Sequence, residues 1–252
     1  MRVRMTGLAG LTALAALLAG ATPASAAPGD ASAYAAKLEL ALLGGSAVSA
    51  GPFAAADANG PTSGTFAAVD VPGVLKTGVL DASATRDDKT GGVHSRAVTA
   101  DVRLDLLASA AGPITAEVVE ARCDATQKGV TGGSELVGLS LGKLGTVDAE
   151  PAPNTVVDVD LLGVDIAKLV FNEQIRNKDG SLTVNAVHLT LIGGVLGALG
   201  SGDVVVSSAT CGPAGLPIPM ASGAGLWIGL GLLGLVAVPT GAVVLRRRQA
   251  MA

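Results

Sequence analysis

Apolar and polar residues alternate with period two along most of the middle of the chain. Val98, Ala100, Val102, Leu104 and Leu106 are spaced by Thr99, Asp101, Arg103 and Asp105. That spacing predicts a strand with one wet face and one dry face. Val157, Val159 and Leu161 alternate with Asp158 and Asp160 in the same way. Further on, Leu182, Val184 and Ala186 share one phase, while Val187, Leu189 and Leu191 share the other. The slip between Ala186 and Val187 predicts a bulge or a strand buried on both faces. Other apolar runs place strands near 64–71, 74–84, 113–123, 135–141, 166–175 and 203–211. Gly91-Gly92, Gly112-Pro113, Gly132-Gly133 and Gly202-Asp203 punctuate them, and Asp179-Gly180 reads as a hairpin turn. Asp30 to Leu43 is ambiguous. Its Ala, Leu, Lys and Glu content and Gly44-Gly45 suit a capped helix, but Leu38, Leu40 and Leu42 against Lys37 and Glu39 favour a strand. About ten strands without long helical patterns predict an all-β fold, an antiparallel β-sandwich over 27–212.

The two ends follow other patterns. Arg2 and Arg4 precede an apolar run from Leu8 to Gly20; Pro23 then breaks it, and Ala24-Ser25-Ala26 supplies small residues. This is the layout of a secretory signal peptide over 1–26, cut after Ala26. Residues 221–245 carry no charge, and Arg246, Arg247 and Arg248 follow at once. As a helix the run would cross a bilayer of about 30 Å, with the arginines on the cytoplasmic side and Trp227 near the outer interface. Pro239 would kink it. The expected topology is a single-pass membrane protein with its body outside, a Pro/Gly stalk at 213–220 and a basic tail at 246–252.

Two motifs inside the apolar run do not change this. Gly229-Leu230-Gly231-Leu232-Leu233-Gly234 matches a dinucleotide-binding spacing, but no strand precedes it. Gly225 and Gly229 match a helix-pairing spacing, which a glycine-rich span yields by chance. Leu216-Pro217 begins like a cell-wall sorting signal, yet Ile218-Pro219-Met220 follows where Thr-Gly would be cleaved, so a retained anchor is expected.

Composition narrows the partners. Aromatic residues are 2% of the chain, and outside the apolar tail only Tyr34, Phe53, Phe66 and Phe171 occur. Four scattered rings form no platform for stacking nucleic-acid bases. Five of the 17 basic residues lie at the two ends, so the body sets the other twelve against all 21 acidic ones, a net of −9. An acidic body repels phosphate backbones, and no nucleic-acid partner is expected. Small Ala, Val and Gly side chains would let two sheets pack close, and a core with few large hydrophobes gains from a staple. Cys123 and Cys211 are the only cysteines, each ends an expected strand, and export would expose them to an oxidising compartment. A disulfide between them is expected.

Three segments carry a family likeness. They are Phe171-Asn172-Glu173-Gln174, the run Gly180-Ser181-Leu182-Thr183-Val184-Asn185-Ala186-Val187-His188-Leu189, and the stretch Gly202-Asp203-Val204-Val205-Val206-Ser207-Ser208-Ala209-Thr210-Cys211-Gly212. Together they resemble the choice-of-anchor P family of actinobacterial surface proteins, most strongly over 113–212. The resemblance implies an exported, C-terminally anchored domain and supports the disulfide. It implies no catalytic residues.

Candidate chemistry is sparse. His94 and His188 each lack a second histidine nearby in sequence, and no Gly-x-Ser-x-Gly elbow occurs. His188 lies on a strand beside Asn185 and Thr190, as a polar-face or satisfied core histidine would. Asp158, Asp160, Gly163 and Asp165 are spaced like part of a calcium loop, but Leu162 and Leu169 stand where ligands belong. Arg86-Asp87-Asp88-Lys89 reads as an exposed turn, and Asn154, Asn172 and Asn185 are not in glycosylation sequons. No catalytic, cofactor or metal site is therefore assigned. The expected role is structural, adhesive or binding at the cell surface, towards an extracellular ligand. An extracellular hydrolase using His94 or His188 and a calcium-dependent binding module are the alternatives.

Overall fold

A computed structural model of the protein describes residues 27–42, 47–192 and 200–217. Its strands are β1 (Ala31–Leu42), β2 (Ala47–Phe53), β3 (Ala56–Asp57), β4 (Ser63–Phe66), β5 (Asp70–Val71), β6 (Leu75–Lys76) and β7 (Leu80–Asp87). They continue with β8 (Gly92–Leu104), β9 (Ile114–Thr126), β10 (Gly129–Val137), β11 (Thr155–Leu161), β12 (Val164–Arg176), β13 (Leu182–Leu191) and β14 (Gly200–Cys211). A one-turn helix α1 (Ala108–Ala111) and a 3-10 turn (Gly142–Leu144) are the described helices.

All strand pairings are antiparallel. The first sheet runs β11-β12-β13-β14-β1-β2, with β3 also on β1; the second runs β10-β9-β8. Beyond β8 the second sheet forks, because β8 pairs with β7 along Gly92–Thr99 and with β6 at Arg103–Leu104. β1 lies over β7 and β8, β14 over β8 and β9, and β13 over β9 and β10. Between the sheets sits a core of alanines, valines and leucines, with Phe171 its largest fully buried side chain. The leucines give it more large hydrophobes than the composition led one to expect.

The ambiguous segment after Asp30 is a strand, with Leu38 and Leu40 buried and Leu42 packed beside them. Asp179-Gly180 turns β12 into β13, with Gly180 at φ 84°. The expected slip at Ala186 and Val187 is real, and it is wider than one strand. Ala35 and Ala36 of β1, Ala186 and Val187 of β13, Val206 and Ser207 of β14, and Phe171 and Asn172 of β12 are consecutive buried pairs. The register is unbroken across them: Ala36 pairs Val206, Val206 pairs Val187, and Val187 pairs Phe171. The neighbouring residues Ala35, Ser207, Ala186 and Asn172 fall between paired positions, and Ser207 and Asn172 adopt positive φ (56° and 49°). Four strands thus change phase along one line across the sheet.

The second sheet corrects one expectation. Val98 and Ala100 are only partly buried, whereas Ala97 and Thr99 are fully buried. Asp101, at φ 49°, resets the phase so that Val102 and Leu104 face inward. Thr99 is buried because its hydroxyl has work to do. It donates to the Ala35 carbonyl (2.9 Å) and lies 3.0 Å from the Ser207 hydroxyl, which donates to the Val119 carbonyl (2.8 Å). Polar groups at the phase change are thereby satisfied from the facing sheet, as burial requires.

Gly202-Asp203 does not punctuate the chain but lies inside β14. A Cβ on Gly202, at φ 127°, would collide with the Glu39 carbonyl of β1. The β2 and β3 strands were not legible in the pattern, since Ala47–Phe53 holds Gly51-Pro52 and mostly exposed positions.

Candidate functional site

Cys123 of β9 and Cys211 of β14 form the expected disulfide, with 5.7 Å between their Cα atoms. Both are fully buried, and the bond ties one sheet to the other. Residues after Cys211 fold back against the body. Pro213 accepts from Gly29 N, Gly215 N donates to the Gly91 carbonyl, and Gln127 Nε2 donates to the Gly215 carbonyl. Arg86 and Asp87 end β7 rather than lying in an exposed turn, and part-buried Arg86 reaches the Leu216 carbonyl and, in the turn that follows, Asp88. The start of the expected stalk is therefore pinned. Ala24, Ala26, Trp227, Arg246, Arg247 and Arg248 lie outside the described residues, as does the whole of 221–245. No helix among the described residues is long and apolar enough to cross a membrane.

The outer face of the first sheet holds a polar cluster around His188. At the phase change, outward rows stand three residues apart instead of two, so His188 on β13 looks across to Glu173 of β12 on one side and Asp203 of β14 on the other. His188 Nδ1 lies 2.8 Å from Glu173 Oε2 and Nε2 lies 3.0 Å from Asp203 Oδ1. Burial opposes the charged ring, but the hydrogen bonds to Asp203 and Glu173 outweigh it and push its pKa up to about 9. Burial likewise opposes the Glu173 carboxylate, yet donors from His188 and Asn185 hold it below its ordinary value. The bond from His188, offset by burial and aided by the Thr190 hydroxyl, lowers Asp203. Ser208 donates to the Asn185 carbonyl oxygen (2.7 Å), which completes the cluster.

An imidazolium with both N–H groups committed to carboxylates is a tie between three strands. A general base needs a free ring nitrogen near neutral pH, and the hydroxyl beside it, Thr190, donates to Asp203 instead. Glu173 and Asp203 complete the cluster, and spacing could not link either to His188, since each lies fifteen residues from it along the chain. His94 is separate and exposed, with Nδ1 2.6 Å from Asp124.

The calcium-like segment forms the β11–β12 hairpin. Asp160 accepts from Gly163 N (3.3 Å), Asp158 is exposed, and Leu162 at the tip is 97% exposed. Among the described residues, no three acidic, histidine or cysteine side chains converge as a metal site would require. A cavity of about 330 Å³ opens at the free edge of β10, lined by Arg122, Asp124, Gly132, Gly133, Ser134 and Glu150 among others.

No family profile matches the chain, and no curated protein or solved structure is similar to it.

Proposed function

We propose that the chain is an exported protein whose β-sandwich is displayed outside the membrane by its C-terminal apolar run, with a structural, adhesive or binding role. The observation that carries this reading is the buried disulfide between the two sheets. Such a bond forms and persists in oxidising compartments. The signal-peptide layout of 1–26, the uncharged 221–245 followed by three arginines, and the resemblance to choice-of-anchor P proteins support it from the sequence. The histidine geometry favours binding over hydrolysis, because His188 is held as a charged tie.

The test is topological. Protease added to intact cells is expected to remove the acidic body, and alkylation under non-reducing conditions is expected to leave Cys123 and Cys211 unmodified. A body that resists protease until the cells are lysed, or two alkylatable cysteines, refutes display. A hydrolysis screen on wild type, His94→Ala and His188→Ala addresses the enzymatic alternative; turnover that disappears with either histidine would replace the binding role.

A further inference from the structure

The sandwich has one side almost without charge. From Ala41 to Val69 the sequence holds a single charged residue, Asp57, which accepts from Asn59 N within its own turn. Two strands of this stretch form adjoining edges: β2 ends the first sheet, and β4 ends a branch of the second. They lie against each other, and Phe53 of β2 meets Phe66 of β4 with ring centroids 5.2 Å apart. These are two of the four aromatic residues outside the apolar tail. Phe66 is 44% exposed, and Ala47, Ser49, Pro52, Ala67 and Ala68 of the same stretch are exposed as well.

Along β2, Ala47–Ala50 pair with β1 on one side, and no described strand pairs with them on the other. An open edge presents unpaired N–H and C=O groups, and proteins commonly guard it with charge or cover. Two other edges are guarded in this way. β11, at the opposite end of the first sheet, carries exposed Asp158 and Asp160. β10 is capped by Leu136 N on the Ala149 carbonyl and by Gln174 Nε2 on the Gly132 carbonyl. β2 carries no charge, and on the strand beside it Glu39 is neutralised by Lys37 at 2.8 Å. Pro52, which has no N–H to give, ends the open run.

We propose that this side is the interface between two copies of the chain. Ala47–Ala50 of one copy pair antiparallel with Ala47–Ala50 of the other about a two-fold axis, and the two first sheets join. Charge selects the occupant. The body has a large acidic excess, so two copies repel each other wherever their carboxylates face. The uncharged side lets them meet without desolvating an acid. Pairing β2 with β11 of another copy would instead set Asp158 and Asp160 in the contact, and it would run on as an open chain of copies. A stable pair buries about 1,200–2,000 Å². The ladder from Ala47 to Ala50 falls short of that, so the apolar surface around Phe66 takes part in the contact. The inference does not depend on where the body is displayed, and the protease experiment and the one below fail separately.

Light scattering on the full chain in detergent, over a range of concentrations, tests it. The wild type is expected to show twice the mass of one chain. Ser49→Asp and Ser49→Lys each set like charges across the two-fold axis, and each is expected to weaken the pair by about fivefold or more. An equimolar mixture of the two variants sets opposite charges across the axis and is expected to restore the pair. Ser49 is exposed, so both are expected to keep the wild-type melting temperature. Ala68→Asp alters an exposed residue outside the strands and is expected to weaken the pair as well. Leu162→Asp, at the far end of the first sheet, is expected to leave it intact. A single-chain mass at every concentration, a pair that survives both Ser49 variants, or a mixture that fails to pair overturns the proposal. So does a pair that persists in Ser49→Asp but is lost in Gly229→Leu, which would belong to the apolar run. So does a larger assembly that Leu162→Asp breaks up, which would join β2 to β11.

Discussion

His188 makes the stability of the body depend on pH in a direction that can be worked out. Its folded-state pKa is about 9 against an ordinary value of 6.5. A group raised on folding stabilises fully below its unfolded value, and the contribution is lost as pH rises through the folded value. At about 1.4 kcal/mol per tenfold change in acidity, the gap corresponds to about 3 kcal/mol. The His188 side chain is 21% exposed, but Asp203 is 49% exposed. Solvent screening on that side reduces the expected loss to about 2 kcal/mol. For a body of this size that is a fall in melting temperature of roughly 4–8 °C between pH 6 and pH 9.5. Glu173 and Asp203 are depressed, so their contributions are present above ordinary carboxylate values and fade as pH falls below them. The triad is then most stabilising between the carboxylate and histidine ranges. The assay is a thermal melt at each pH for wild type and His188→Gln, with the ring nitrogens of wild type followed by NMR. The difference between the two proteins should shrink as pH rises from 6 to 9.5. A wild-type ring that titrates near 6.5, or two melting curves that shift in parallel with pH, would refute the reasoning.

Three further outcomes follow from the packing. Replacing both cysteines with alanine opens a link across 88 residues and should lower stability by about 4–5 kcal/mol in the chain-entropy picture, measured by denaturant melts against the oxidised wild type. Thr99→Val keeps the shape but leaves the Ala35 carbonyl without its donor, which should cost about 1–3 kcal/mol; an unchanged midpoint would show that the hydroxyl bridge is idle. Gly202→Ala should fail to yield a cooperative melt, because its Cβ meets the Glu39 carbonyl on the neighbouring strand and its φ is 127°.

What the sequence revealed depended on how local each signal was. The alternation in Val157–Leu161 and the slip at Ala186 and Val187 are set within one strand, and both appear in the fold as read. Val98 and Ala100 misled because the reading followed side-chain polarity, whereas the fold buries Thr99 to satisfy carbonyls of the facing sheet. No neighbour of Thr99 in the chain announces that demand. Cys123 and Cys211 were legible from their count, their places at the ends of expected strands and the export signal at the N-terminus. The Glu173–His188–Asp203 tie was not, because strand pairing, not spacing, brings β12, β13 and β14 together. Gly132-Gly133 looks like punctuation, but both lie inside β10, where Gly132 pairs Cys123 and leaves no room for a side chain against Val184.

The scarcity of aromatic residues and the hydroxyl bridges have one physical origin. A sandwich packed with large rings separates its sheets by about 10 Å, too far for a threonine to span from one backbone to the other's carbonyl. Here the residues around the bridge are Ala35, Ala36, Ala97 and Ala121, all fully buried. Thr99 and Ser207 each reach a carbonyl of the facing sheet at under 3 Å, so the sheets approach locally where these alanines stand. The same closeness lets Cys123 meet Cys211. Small side chains bring less apolar burial per residue, and the directional links they permit offset part of that loss. Enlarging the gap tests this coupling: Ala97→Leu should weaken the fold by more than overpacking alone, about 1–3 kcal/mol, because it also pulls the Thr99 donor away from its acceptor. If Ala97→Leu costs the same in a Thr99→Val background as in wild type, the two effects are independent and the argument fails.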